Sequence, residues 1–266
     1  MAKNEIAVIG GGIAGIQASL DLASRGFKVY LIEKSPSIGG RMAQLDKTFP
    51  TMDCSMCILA PKMIDCSHHP NVQLLSYSEV KDVKGSVGNF TVKVMRKPRY
   101  VDESKCTGCG TCSEHCPVEV PNEFDMNLGM RKAIYMPLPQ AVPRAMTVDK
   151  ENCIECGLCA KVCQAGAVDL KQQPKEIDLN VGAIILAIGF DMFDSSEIPT
   201  FGYGRYKNVV TAMELERLLC ASGPTGGHLL RPSDGKIPRK IAFIQCVGSR
   251  DRRFGNTYCS SICCKY

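Results

Sequence analysis

Residues 5–34 read EIAVIGGGIAGIQASLDLASRGFKVYLIEK, and their spacing decides the fold. Residues 6–9 form an apolar run of strand length that enters Gly10-Gly11-Gly12-Ile13-Ala14-Gly15. An amphipathic helix follows and ends near Gly26, and a second strand, Lys28–Ile32, closes on Glu33. Strand, glycine turn, helix, strand and an acidic residue about twenty positions on make the fingerprint of a dinucleotide-binding βαβ unit. Gly10 permits the tight turn, Gly12 lets backbone approach a pyrophosphate, and Gly15 lets helix and strand pack closely. The helix N-terminus offers N–H groups and partial positive charge, and Glu33 can accept from ribose hydroxyls. A glycine-rich turn without a ligand is the plain alternative, and it leaves the coincidence of all these parts unexplained.

Two later stretches choose between nucleotides. Gly39-Gly40-Arg41 resembles the second phosphate-proximal motif of two-dinucleotide-binding flavoproteins. Residues 182–190, GAIILAIGF, resemble the strand that closes their FAD domain, with Ile188 where threonine is usual. FAD is therefore the expected nucleotide. The Gly-Asp segment that contacts the ribityl–phosphate region in such enzymes does not occur in these residues.

The middle of the chain carries a second chemistry. Cys106-x2-Cys109-x2-Cys112-x3-Cys116-Pro117 is the bacterial ferredoxin run, and Cys153-x2-Cys156-x2-Cys159-x3-Cys163 repeats it with Gln164 in place of proline. In two-cluster ferredoxins the fourth cysteine of each run ligates the other cluster. Cys106, Cys109, Cys112 and Cys163 are thus expected to hold one 4Fe-4S centre, and Cys116, Cys153, Cys156 and Cys159 the other. Three thiolates from a tight loop cap one face of a cubane, and a distant fourth closes it. Gly108, Gly110 and Gly157 supply turn freedom and keep backbone N–H groups near the sulfurs. Zinc is the competing occupant, but zinc ribbons use paired cysteines rather than two runs of four.

The expected architecture is α/β: a Rossmann-like FAD-binding domain of the thioredoxin/disulfide reductase type, with a two-cluster ferredoxin module of α+β character inserted. Residues 72–96 alternate like a β-meander with Gly85 and Gly88 at turns, and residues 177–190 resume strand patterning after the insertion. This gives FAD-binding segments at 1–99 and 172–238, the ferredoxin at 100–171, and the truncated start of a second nucleotide-type unit at 239–266.

Sixteen cysteines in 266 residues without a secretion signal point to metal or redox work rather than a disulfide scaffold. No apolar stretch is long enough to cross a bilayer, and a cytoplasmic, non-membrane-spanning protein is expected. The formal charge of +5 counts thiols as neutral. Three four-thiolate cubanes at about −2 each bring the total near −1, which removes the charge argument for nucleic acid. The basic run at 93–99, KVMRKPR, reads as a solvated strand and linker.

Cys54 and Cys57 fall in TMDCSMCILAPKM, read as a loop beyond the Gly39-Gly40 turn, roughly where flavin disulfide reductases keep a redox-active pair. Free thiols, ligands of a further cluster completed by Cys66 or a partner, and packing cysteines compete with that role. Cys66 with His68 and His69 suggests a metal, although the histidine pair reads as an exposed loop before Pro70. Cys220 lies on an expected helix started by a Thr211/Glu214 capping box and stopped by Gly223. The chain closes on YCSSICCKY, residues 258–266. Adjacent cysteines do not pair with each other without strain. With Cys246, at the end of an expected strand over 241–245, the cysteines at 259, 263 and 264 suit a third 4Fe-4S centre. A labile zinc site and simple thiols are the alternatives.

GGGIAG, the TMDCSMCILAPKM loop, the paired ferredoxin runs, ELERLL and IAFIQCVGSRD followed by YCSSICCKY together resemble the N-terminal portion of the A subunit of heterodisulfide reductase. The resemblance spans the whole chain, which stops within a motif as a truncated gene, split subunit or fragment would. It implies FAD contacts from Gly10, Gly12, Ala14, Gly15, Glu33, Lys34, Gly40, Arg41 and Gly189. It further implies an oxidoreductase subunit that takes electrons from a hydrogenase or formate dehydrogenase. FAD would bifurcate them toward ferredoxin and toward the partner subunits that reduce the CoM-S-S-CoB heterodisulfide of methanogenesis. A polyferredoxin-type carrier without functional flavin, and a flavin disulfide oxidoreductase working through Cys54 and Cys57, are the competing classes.

Overall fold

The structure is a computed structural model that describes residues 4–254, 256–259, 261 and 264. In chain order it contains β1 (Glu5–Ile9), α1 (Ile13–Ser24), β2 (Lys28–Ile32), the short pair β3 (Lys47–Thr48) and β4 (Asp53–Cys54), and α2 (Ser55–His68). Then come β5 (Val72–Leu75), β6 (Ser78–Ser86), β7 (Asn89–Arg96), α3 (Thr111–Glu114), β8 (Glu119–Pro121), β9 (Met130–Lys132), β10 (Ile134–Tyr135) and β11 (Thr147–Val148). Finally α4 (Leu158–Val162), β12 (Lys175–Val181), β13 (Ala183–Leu186) and α5 (Ala212–Leu219) follow. The chain forms two compact units: one holds residues up to Ala43 with Ser55–Gly189, the other Gln44–Cys54 with Phe190 onward.

The first unit is layered by strand alternation. Its parallel sheet runs β13-β1-β2-β5. Successive strand residues face opposite sides, so Ile6, Val8, Val29 and Leu31 pack against Ile16 of α1 and Leu59 and Met63 of α2. On the other face, Ala7, Tyr30 and Ile32 pack against Val92, Val94, Leu179 and Val181 of the antiparallel sheet β12-β7-β6. The architecture is α/β and Rossmann-like. β12 and β13 return to it after the cysteine-rich stretch, β12 on β7 and β13 on β1.

The cysteine-rich stretch has its own small core of Val101, Cys112, Ile134, Met146, Val148, Cys159 and Ala167. Leu138 and Ala141, however, are buried in the core under α1 and α2, and Met136 packs on both clusters. Arg99, 4 % exposed, fastens the two parts: it donates to Pro36 O (2.6 Å), Ser76 Oγ (3.1 Å), Thr147 Oγ1 (2.7 Å) and Glu103 (2.9 Å). The end of the basic run is therefore a buried junction rather than solvated linker, because four acceptors together replace the water the guanidinium gives up.

Three further expectations are corrected. Residues 72–96 are not one meander: β6 and β7 form a hairpin turning at Gly88, whose φ is +87°, but β5 pairs in parallel with β2. The TMDCSMCILAPKM segment is largely helix rather than loop, since α2 begins at Ser55 and absorbs Pro61. Residues 241–245 form no strand, and Ile241, Phe243 and Ile244 are more than half exposed. A strand needs a ladder partner, and among the described residues this segment has none.

In the second unit, α5 starts with the capping box read from sequence: Glu214 N donates to Thr211 Oγ1 (3.2 Å) and Thr211 N to Glu214 Oε2 (2.5 Å). Arg217 is buried and donates to Gln44 O, while Glu216 accepts from Asp46 N, which ties the β3–β4 hairpin to α5. The Gly248 Cα stands against the Phe193 ring, which meets Phe254 edge-on.

Candidate functional site

The turn after β1 is kept to backbone alone. Gly10, at φ +109°, donates to Ile32 O at 2.8 Å, and a Cβ there would overlap Ala187 O. A Cβ on Gly15 would overlap the Gly10 carbonyl oxygen. Gly39 N donates to Gly11 O at 2.8 Å, drawing the 39–40 turn against the first one, and a Cβ on Gly40 would stand 2.9 Å from the Gly12 Cα. A Cβ on Gly12 itself would meet nothing nearer than the Gly40 Cα at 4.0 Å, so the space over the start of α1 is open. No side chain caps Gly12 and no acidic residue sits in the first turn of α1, which leaves its N–H groups and positive end for an anion.

Glu33 is 7 % exposed at the rim of this cradle. Its Oε2 accepts from Gly11 N at 2.6 Å and its Oε1 from Ser35 N at 2.7 Å. Each oxygen keeps a lone pair for a ribose hydroxyl. The open glycine cradle, uncapped helix and fixed carboxylate fit a dinucleotide. Of the other residues expected there, Ala14 is exposed in the first turn of α1, and Lys34 is exposed next to Glu33. Arg41 is half-buried in the turn Gly40–Gln44, and Gly189, at φ +74°, has no atom within 4 Å of an added Cβ. Spacing gave no role to Gly11, although the triple glycine was the available signal.

The two cysteine runs fold alike. Gly110 and Gly157, at φ +86° and +72°, each turn a cysteine loop into a short helix, α3 and α4. Cys112 has Cys106, Cys163 and Cys109 as its charged neighbours; burial first, then those thiolates, push its thiol up to about 11. Cys159 is raised by burial and then by Cys153, Cys156 and Cys116. Cys116, Cys153, Cys156 and Cys159 also line one small apolar cavity with Pro117, Ile134, Ile154 and Leu158. The fourth cysteine of each run thus lies with the first three of the other. Glu155 N donates to Cys153 Sγ and Ala167 N to Cys163 Sγ, both at 3.4 Å. Among the described residues no three His, Cys, Asp or Glu side chains are arranged for a single metal ion. Two groups of four thiols, spread more widely than the ligands of one zinc, fit cubanes.

The remaining cysteines divide. Cys54 ends β4 in the second unit, half-buried, whereas Cys57 is exposed in the first turn of α2 in the first unit. Cys66 lies on the buried face of α2, while His68 Nδ1 lies 3.0 Å from Ile64 O and His69 Nδ1 accepts from Asn71 N; among the described residues the three form no metal-binding group. Cys220 is buried beside Ser222. Cys246 takes φ +61°, Cys264 Sγ donates to Gln245 Oε1 at 2.9 Å, and Ser249 Oγ donates to Tyr258 O beside Cys259. These contacts bring the neighbourhoods of Cys246, Cys259 and Cys264 together; Cys263 lies outside the described residues.

Comparison with known proteins gives the same two cofactor classes over the two stretches. A family described as FAD dependent oxidoreductase matches residues 5–97, and a 4Fe-4S dicluster domain matches residues 105–168. The chain is 61 % identical over 97 % of its length to the A subunit of the H(2):CoB-CoM heterodisulfide,ferredoxin reductase of Methanothermobacter marburgensis, and covers 39 % of that protein. It is 66 % identical over 97 % of its length to one of the iron-sulfur A subunits of the CoB-CoM heterodisulfide reductase of Methanopyrus kandleri, covering 40 % of it. The chain therefore spans about two fifths of the length of these curated relatives. Among solved structures, the L-proline dehydrogenase of P. horikoshii overlays 35 % of the chain and 19 % of its own length at 28 % identity, with a TM-score of only 0.32. Among the described residues no helix is long and apolar enough to cross a membrane.

Proposed function

The chain belongs to the A-subunit family of heterodisulfide reductase, and from that premise we propose that it is an iron–sulfur flavoprotein electron-transfer segment. It exchanges electrons among a donor dehydrogenase or hydrogenase, FAD, ferredoxin and disulfide-reducing partner subunits, with bifurcation toward CoM-S-S-CoB as its physiological use in the cytoplasm. FAD, when bound, supplies the exchange between two-electron and one-electron chemistry. The observation that carries the proposal is the shared core: Met136, Leu138 and Ala141 join the two cysteine runs to the nucleotide cradle in one compact unit.

Each residue's task is binding and placement. Gly10, Gly12, Gly15 and Gly40 keep side chains out of the diphosphate's path, and Ala14 follows on the opening turn of α1. Glu33 holds ribose hydroxyls, Lys34 and Arg41 flank the cradle, and Gly189 leaves room at its far edge. Cys106, Cys109, Cys112 and Cys163 hold one centre; Cys116, Cys153, Cys156 and Cys159 hold the second; Cys246, Cys259, Cys263 and Cys264 hold a third. On this reading the functional divisions are 1–99 with 172–238 for the nucleotide, 100–171 for the two ferredoxin-type centres, and 239–266 for the third, drawn by cofactor and not by the two compact units. Electron transfer of this kind asks no side chain for acid–base catalysis.

Anaerobic reconstitution with iron, sulfide and FAD tests this directly. The expected product carries one flavin and about 12 irons per chain. Iron without flavin would favour a polyferredoxin-type carrier, and zinc in place of iron would overturn the assignment. Loss of turnover in Cys54→Ser or Cys57→Ser, with full cluster content, would instead make those thiols the working pair.

A further inference from the structure

Gly108 lies between Cys106 and Cys109, in the loop that supplies three thiols to the first centre. A Cβ built there would meet Arg144 Cγ at 3.0 Å, Arg144 Nε at 3.1 Å and Met136 Cε at 3.1 Å. The Arg144 side chain therefore lies directly against this cysteine loop. Several other cations of the cysteine-rich stretch are neutralised: Lys105 pairs with Asp102, Lys150 with Glu155, and Arg131 with both Glu123 and Asp149. Arg144 is exposed and, among the described residues, has neither an ion pair nor a hydrogen bond.

The backbone explains why an unpaired arginine stays there. Two residues before it, Val142 N donates to Ser37 Oγ at 2.9 Å and Val142 O accepts from Ile38 N at 3.0 Å. The segment is thereby pinned beside the 39–40 turn of the dinucleotide cradle, and Arg144 is projected back over Gly108.

We propose that Arg144 sets the reduction potential of the centre at Cys106, Cys109, Cys112 and Cys163, raising it above that of the neighbouring centre. This rests on the 4Fe-4S reading given above. Reduction adds one negative charge to a cubane, so a close positive charge favours the reduced form. Screening confines an exposed charge to short range, and Arg144 stands against the loop that carries Cys106 and Cys109. The other centre faces the apolar lining of Pro117, Val118, Ala133, Ile134, Ile154 and Leu158, and Lys150, the cation beside its Cys153, is itself paired with Glu155. The centre next to the nucleotide cradle is then the one on which an added electron settles.

The test is an EPR-monitored redox titration of the anaerobically reconstituted full chain. In Arg144→Gln one midpoint moves to a more negative value and the rest stay; the displaced signal is the one lost in Cys109→Ser. Arg144→Lys retains most of the original value, and Arg144→Glu moves it further than Arg144→Gln. Lys161, also exposed and unpaired, lies on α4 between Cys159 of one centre and Cys163 of the other, so Lys161→Gln controls for general charge loss. Intact centres whose midpoints ignore Arg144, or all shift equally, overturn the proposal alone. Absence of any cubane signal from the parent chain overturns the cofactor reading and this proposal with it.

Discussion

Ser37 and Val142, 105 residues apart in sequence, exchange hydrogen bonds: Val142 N donates to Ser37 Oγ at 2.9 Å, and Ser37 Oγ lies 3.2 Å from Val142 O. Ser37 is buried just before the Gly39-Gly40 turn, so the cysteine-rich insertion is stitched to the rim of the nucleotide cradle itself. Removing the hydroxyl leaves the Val142 N–H without its partner. Ser37→Ala should cost about 1–2 kcal/mol of stability by denaturant titration, and it should loosen flavin more than iron.

Arg99 makes the larger claim. Its removal strands Pro36 O, Ser76 Oγ and Thr147 Oγ1 in the interior. Arg99→Leu is expected to destabilise by about 3 kcal/mol. Arg99→Lys should recover little, because a single ammonium cannot reproduce the planar fork.

Gly12 separates folding from nucleotide binding. Its φ of −75° suits any residue and a Cβ there is unobstructed. In the flavin-free chain Gly12→Ala should cost no more than about 1 kcal/mol, the difference between glycine and alanine at the N-cap of α1. Its flavin-to-protein absorbance ratio should nonetheless fall, because the added methyl fills the cleared cradle. Equal flavin retention would remove Gly12 from the site.

Cys66 gives a pH dependence with a definite sign. Burial moves its thiol from about 9 to about 11. The folded chain keeps the proton that the unfolded chain releases, so the contribution is complete below pH 9 and is lost as pH rises toward 11. The loss is on the order of 2 kcal/mol. Denaturant titrations at pH 8 and pH 10.5 should show it as the difference between parent and Cys66→Ala, and iodoacetamide at pH 8 should spare Cys66 until unfolding.

In the second unit, Thr211→Ala removes one half of a two-way cap on α5. About 1 kcal/mol is the expected cost, read from thermal denaturation.

Local chemistry was legible in the sequence because its spacing is local. β1, α1 and β2 fall on residues 5–34 nearly as the glycine fingerprint required, and the cysteine runs close into two crossed groups of four. The capping box at Thr211 and Glu214 likewise reads from four residues. What escaped depends on distant partners. α2 was hidden by Pro61 and by cysteines that suggested a redox loop. β5 looked like part of a meander because its alternation does not say which neighbour it will choose. Residues 241–245 have strand composition but no ladder to join. Arg99 carried only the look of a basic linker, since no pattern within KVMRKPR foretells four acceptors, three of them distant in sequence, around a buried guanidinium.

The pairing of β7 with β12 sets Arg96 directly opposite Lys175. The insertion therefore leaves and re-enters the nucleotide unit at neighbouring rungs of one ladder, as an overgrown hairpin turn. Because the entropy of closing a loop rises only slowly with its length, a whole relay module can replace a few turn residues without rethreading the surrounding sheet. The graft is nonetheless not a detachable cap: Leu138 and Ala141 have been taken into the host's core under α1 and α2, so host and relay stand or fall together.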